Sequence, residues 1–257
     1  MSKETHITPT VIYELMARAG FRKYFHFGGA AATRELIDAC HIDSHTYILD
    51  VGCASGKTAC YLTKRYGCRV VGVDILPGMI ARANQRASRE GVTTRVSFLV
   101  ADAQDLPFED QCFDLVMGEF ITGLLADRQR GLREYLRVLK PGAYIGLNEG
   151  TLIKTPPPVS LIDYLRGTFG ITVDMLDADQ WRALLQGAGL RDVVAKTHKV
   201  TTLSNRADNM KDLAQVWYKV LYLYLINRDF RYFIKQAVAV PKDLLEYLGY
   251  GIYIGRK

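Results

Sequence analysis

Two periods alternate along the chain. Short apolar or β-branched runs occur at Tyr47–Asp50, Arg69–Asp74, Arg95–Val100, Phe113–Met117 and Ala143–Leu147. The lengths and residue types predict strands. Between and before them lie segments with apolar residues at helical spacing: Val11–Ala19, Ala30–Cys40, Thr58–Arg65, Pro77–Arg89 and Arg128–Leu139. Gly20 and Gly91 stop two of these helices, and Pro9 and Pro77 open two. Strands alternating with helices predict a mostly parallel α/β sheet. Beyond it, Thr155-Pro156-Pro157-Pro158 interrupts regular structure and starts a crossover. Asp177 and Gln180 have capping-box spacing for a helix through Gln186, with Trp181 and Leu185 on one face. A last strand is expected at Gly251–Gly255. Before it, Leu203–Leu245 forms an insert whose Trp217–Ile226 stretch is helical in length and apolar on more than one face.

With 257 residues the chain can bury a core as a single α/β domain. The net charge of +6 is dispersed, without the basic block of a nucleic-acid arm. It is compatible with an anionic substrate or a weak preference for membrane surfaces. Five cysteines (Cys40, Cys53, Cys60, Cys68, Cys112) without C-x-x-C spacing read as cytosolic thiols, not as disulfides or a zinc site. No apolar run reaches about 18 residues, and no apolar leader opens the chain. The expectation is a soluble cytoplasmic protein with no integral membrane segment.

Candidate chemistry begins at Asp50-Val51-Gly52-Cys53-Ala54-Ser55-Gly56-Lys57-Thr58. A strand ends in an acid, small residues turn, and a helix follows, which aims backbone N–H groups into one crevice. A phosphate loop requires four residues between its first glycine and Gly-Lys-Thr; three stand here. The dinucleotide fingerprint G-x-G-x-x-G is also absent. Asp74 follows about twenty residues later at the end of the second strand, where a carboxylate accepts bonds from both ribose hydroxyls. It points to a ribose without saying which cofactor carries it.

Asp50-x-Gly52-x-Ala54-x-Gly56 resembles the first motif of class I S-adenosylmethionine-dependent methyltransferases, with Ala54 in place of the usual middle glycine. In that family the turn lies against the methionine moiety, so the resemblance implies small residues. The extra methyl of Ala54 is a small burden unless the position needs positive φ. Asp102-Ala103 with Leu106-Pro107-Phe108 resembles the adenine motif of the ubiquinone/menaquinone-type and related C-, N- and O-methyltransferases. There Asp102 would accept from the adenine amino group and the Ala103 N–H would reach a ring nitrogen. Phe113-Asp114-Leu115-Val116 and Arg137-Val138-Leu139-Lys140-Pro141-Gly142-Ala143 also match that group. Gly28-Gly29 with Thr33 resembles a lead-in that passes over the cofactor, although the aromatics of Phe21–Phe27 serve equally as packing. Many relatives carry His or Asn where this chain has Leu124 and Leu125, so that general base is missing.

The resemblance implies a Rossmann-like sheet of seven strands, mostly parallel with an antiparallel last strand, plus N-terminal helices and a helical insert before that strand. It divides the chain into N-terminal helices and a lid loop (1–45), a cofactor core (46–150), a crossover, helix and strand six (151–202), a helical cap (203–245) and the last strand (246–257). It implies S-adenosyl-L-methionine as cofactor, held by Gly29, Asp50, Gly52, Ala54, Gly56, Asp74, Ile75, Asp102, Ala103 and Glu119, with no metal. The reaction implied is in-line transfer of the sulfonium methyl to a C, N or O nucleophile of a small molecule. Tyr24, His26 and Glu119 are the candidates for catalysis; structural roles stay open for each. The insert can serve as extra core, as a contact with a second subunit or as a cap. The expectation is a cap in which Trp217, Tyr218, Tyr222 and Tyr224 wall a partly apolar or aromatic acceptor, with Tyr24–Gly29 closing over bound cofactor. No nucleic-acid partner is expected, and a homodimer stays open. Three rivals remain. A NAD-dependent oxidoreductase would share Asp74, an arsenite methyltransferase would need clustered thiols from Cys40, Cys53 and Cys112, and a non-catalytic S-adenosylmethionine-binding regulator would keep every motif.

Overall fold

Five apolar runs become adjacent parallel strands because both of their faces are covered by helices. The computed structural model describes residues 9–19, 26–169, 175–200, 217–238 and 245–257. The strands are β1 (Tyr47–Val51), β2 (Arg69–Asp74), β3 (Val96–Val100), β4 (Phe113–Glu119), β5 (Leu139–Leu152), β6 (Arg191–Lys199) and β7 (Leu248–Arg256). The described residues form one seven-stranded sheet in the order β3-β2-β1-β4-β5-β7-β6. β7 runs antiparallel to both of its neighbours, and the other sheet pairings are parallel. This is the Rossmann-like arrangement with a reversed last strand that the resemblance implies.

The strand period of two divides the core. On one face Leu49, Val51 and Val116 pack with Leu132, Tyr135 and Val138 of α5 (Arg128–Val138) and Trp181 and Leu185 of α7 (Ala178–Gly187). On the other, Ile48, Leu115 and Met117 meet Leu36 and Ile37 of α2 (Gly29–Ala39), Leu62 of α3 (Lys57–Tyr66) and Ala87 of α4 (Pro77–Glu90). Asp177 and Gln180 form the expected capping box at the start of α7.

Several boundaries differ from the sequence expectation. β5 begins at Leu139, not Ala143, because Leu139 pairs with Phe113 of β4 and Gly142 and Ala143 pair through their backbones with Lys257. β7 is longer for a similar reason, pairing from Leu248 through Arg256 along β5. The crossover carries a helix, α6 (Val159–Phe169). Among the described residues the insert holds two helical stretches, α8 (residues 217–226) and α9 (Arg228–Val238). Asn227 separates them: its Oδ1 accepts from the Phe230 N–H at 2.7 Å, as a helix N-cap does.

These helices dock on α1 (Pro9–Arg18) through Leu223 and Phe230, which pack with Leu15 and Ala19. Trp217, Tyr218 and Tyr222 point outward and are 55–61% exposed, so they are not the acceptor wall that the sequence suggests. The inward stripe of α8 is Val220, Leu223 and Tyr224, a spacing of three and four residues along one helix face. Phe230 is fully buried. Truncation to Phe230→Ala should therefore lower unfolding free energy by about 3–5 kcal/mol, measured by urea titration.

Candidate active site

The parallel strands deliver their carboxyl ends to one edge of the sheet, and the strand order changes direction between β1 and β4. A cleft of about 280 Å³ opens there. It is lined by Asp50, Gly52, Cys53, Ala54, Asp74, Ile75, Asp102, Ala103 and Glu119, together with His26, Lys57, Thr58, Phe120, Ile121, Leu124 and Leu125. Of the expected cofactor set, Gly56 and Gly29 are not in the lining. Tyr24 lies outside the described residues. Sequence reasoning missed Tyr13, which reaches the cleft from α1, and Leu124 and Leu125, which form wall where a general base had been sought.

The turn after β1 is built on left-handed backbone. Gly52 has φ +68° and Ala54 φ +46°. A Cβ on Gly52 would stand 2.9 Å from the Ile121 side chain. Small size is thus required by the protein's own packing as well as by any ligand. Ala54 does occupy positive φ, so its methyl carries the strain that the sequence could only state conditionally. Its N–H donates to Asp74 Oδ2 at 2.9 Å, while the Leu76 N–H donates to Asp74 Oδ1 at 2.9 Å. Those two bonds hold the Asp74 carboxylate at the mouth of the turn; burial pushes its pKa up.

Asp50 is 3% exposed, and its Oδ2 has no hydrogen-bond partner. Burial, with the charges of Glu119 and Asp74 nearby, raises its pKa well above the ordinary carboxylate value. A buried, unpartnered carboxylate oxygen lining a cleft is a place for a ligand donor or cation. Asp102 holds its Oδ1 against the Gln104 N–H at 2.9 Å.

Glu119 ends β4. Thr33 Oγ1 donates to its Oε2 at 2.7 Å and Thr58 Oγ1 to its Oε1 at 2.8 Å. His26 Nε2 lies 3.0 Å from Oε2, both side chains being under 10% exposed (5% and 7%). Burial works to raise the Glu119 pKa, but His26 and the two threonines hold it below the ordinary value. For His26 burial works downward, and the Glu119 carboxylate leaves it raised. The other ring nitrogen, Nδ1, is 2.9 Å from Asn148 Nδ2 and 3.0 Å from the Phe27 carbonyl oxygen. Both nitrogens are therefore engaged with protein. The ring clasps the segment before α2 to β4 and β5. Gly28, at φ +79°, lies against Tyr250, whose ring would be 2.5 Å from an added Cβ.

A second carboxylate fixes the apolar wall. Glu149 on β5 is 1% exposed and accepts from the N–H groups of Ile121 (3.3 Å), Thr122 (2.7 Å) and Gly123 (3.1 Å). The chain reaches it through Phe120, at φ +62°, whose N–H donates to the Asn148 carbonyl at 2.7 Å. The Phe120 ring meets Phe27 edge-on at 5.2 Å. No group of three or more His, Cys, Asp or Glu side chains is placed to hold a metal ion among the described residues.

Residues 49–147 match the family model described as a methyltransferase domain. An uncharacterised protein of Haemophilus influenzae is 30% identical over 194 residues, covering 75% of this chain and 76% of that one. Methyltransferase GfsG of Streptomyces halstedii is 30% identical over 164 residues, 63% of this chain and 59% of its own length. A Geobacter sulfurreducens SAM-dependent methyltransferase, solved with S-adenosyl-L-homocysteine, superimposes with a TM-score of 0.70. That structure is 20% identical and covers 94% of this chain and 97% of its own. At that identity the likeness shows the fold.

Two outcomes are expected. Ala54→Gly should relieve the left-handed strain and raise thermal and chemical stability by about 1 kcal/mol. The Glu149 carboxyl is pushed by burial up to about 7, against three backbone donors. The folded chain keeps this proton where the unfolded chain has lost it, so this group's contribution to stability falls as pH rises from 4.5 to about 7 and is flat above. Urea titrations near pH 5 and pH 8 should show Glu149→Gln gaining about 3 kcal/mol relative to wild type between them.

Proposed function

Because the chain belongs to the class I S-adenosylmethionine-dependent methyltransferases, we propose that this cleft binds the cofactor through Asp50, Gly52, Ala54, Asp74, Ile75, Asp102, Ala103 and Glu119, and serves a small, partly apolar acceptor. The observation that carries the binding reading is the buried, unpartnered Asp50 Oδ2 beside Asp74. A ligand with an ammonium and a sulfonium fits a cleft whose carboxylates exceed its cations, and ribose hydroxyls fit the Asp74 carboxylate. Ile75, 56% exposed on the lining, supplies an apolar plate for a base, with Asp102 and the Ala103 N–H at its edge.

S-adenosylmethionine supplies a methyl group that is already activated for attack. The chain's task is to orient the acceptor in line and to exclude water. Phe120, Ile121, Leu124 and Leu125 support an acceptor that is apolar or aromatic where it meets the protein. His26 and Glu119 are spent on each other and on Thr33, Thr58 and Phe27. That favours a clasp over a general base, and an acceptor that is nucleophilic as it arrives.

Calorimetry should find S-adenosylmethionine and S-adenosylhomocysteine binding while NAD does not. Asp74→Ala should weaken that affinity by about 2–4 kcal/mol through lost charge-assisted bonds. Incubation with host-cell extract and methyl-labelled cofactor should yield, by mass spectrometry, a labelled small molecule heavier by one methyl substitution. NAD binding more tightly than S-adenosylmethionine would overturn the cofactor assignment. Tight cofactor binding with no labelled product in any extract would mark a non-catalytic binder.

A further inference from the structure

α8 carries apolar side chains on the face that a surface helix normally gives to water. Its inward stripe, Val220, Leu223 and Tyr224, packs with Leu15, Ala19 and Phe230. The opposite side holds two neighbouring rows spaced four residues apart, Trp217, Leu221, Leu225 and Tyr218, Tyr222, Ile226. All six are between 49% and 62% exposed. On α9, Tyr232 adds to the exposed apolar surface at 42%. Contiguous exposure on this scale marks an interaction surface, since scattered apolar residues do not line up in rows.

The surroundings say what kind of surface it meets. Residues 217–238 contain four basic side chains (Lys219, Arg228, Arg231, Lys235) and a single acid, Asp229. The whole chain carries +6. Trp217, Tyr218 and Tyr222 have an apolar body and a polar tip, and Leu221, Leu225 and Ile226 lie beside them. That composition suits the boundary between headgroups and acyl chains, where aromatic rings seat and basic residues meet lipid phosphates. A symmetric contact between two copies would instead bring these like charges together. We propose that the outer face of α8, with its basic flank, is a docking surface for anionic lipid membranes. No helix among the described residues is long and apolar enough to cross a membrane, so attachment is to the surface. The inference does not depend on which acceptor is methylated.

The test is co-sedimentation of the full chain with phosphatidylcholine vesicles, with and without phosphatidylglycerol. Wild type should pellet with the anionic vesicles and be released as salt rises. The triple variant Leu221→Ser, Tyr222→Ser, Leu225→Ser should bind at least about tenfold more weakly. Because all three side chains are exposed, its circular dichroism and S-adenosylhomocysteine affinity should match wild type. Lys219→Ala and Lys235→Ala should each weaken binding by about fivefold. Wild type remaining in solution with both vesicle types would overturn the proposal, as would equal pelleting of the triple variant. Sedimentation equilibrium showing a wild-type dimer that the triple variant dissociates would assign the face to a second copy instead.

Discussion

A carboxylate buried as deeply as Glu119 must be surrounded by donors, and the N-terminal half of the fold is arranged to supply them. Thr33 comes from α2, Thr58 from α3 and His26 from the segment ahead of α2. These three residues are far apart in sequence from Glu119 and meet only over the end of β4. Removing one partner would leave the charge short of a donor, a loss on the order of 3–5 kcal/mol for a buried pair. The same bonds fix the cleft, since His26, Thr58 and Glu119 all line it. Stability and the shape of this side of the cleft therefore depend on the same buried charge.

The carboxylates at the cleft are a consequence of sheet topology. Parallel pairing of β1 with β2 and β4 sets Asp50 beside Gly72 and Met117, so Asp74 and Glu119 arrive two residues further along the neighbouring strands. Asp50 is then flanked by two acids in a region with little water, and its pKa rises. Each of these acids is held by short bonds from the protein, except that Asp50 Oδ2 receives none. Repulsion among them is relieved only in part by His26 and Lys57, the cationic side chains of the lining. A ligand bringing positive charge and several hydroxyl donors removes the remainder. Binding there is favoured by a cost that the folded protein already bears.

The parts legible in the sequence are those fixed by short-range chemistry. The acid–turn–helix around Asp50, the acid ending β2, the Asp177 capping box and the stop at Gly91 need only nearby residues to explain them. What escaped was set at long range. The extent of β5 depends on β7 and on Lys257, more than a hundred residues downstream of Gly142. Ala54 takes its positive φ in a turn where its N–H donates to Asp74, twenty residues on, which composition does not reveal. Leu124 and Leu125 looked like the loss of a base. Their role as wall follows from Glu149, which pulls the backbone of residues 121–123 onto its carboxylate. For α8 the apolar character was readable but its direction was not. Leu223 faces inward only because Leu15 and Ala19 are there to meet it.

That contact makes α1 the shared part between the insert and the cleft. Along ten residues it presents Ile12 and Leu15 to the interior and Tyr13 to the cleft lining, while Leu15 also seats α8 and α9. A helix this short, with its hydrogen bonds closed within itself, moves as a rigid piece rather than bending residue by residue. α1 thus joins the packing of α8 and α9 to the cleft wall, although no described residue of α8 or α9 lines the cleft. Tyr13 is half-buried, and desolvation, with Glu149 and Asp74 adding to it, raises its pKa beyond the ordinary phenol value. Its hydroxyl thus stays protonated at neutral pH and donates rather than carrying charge.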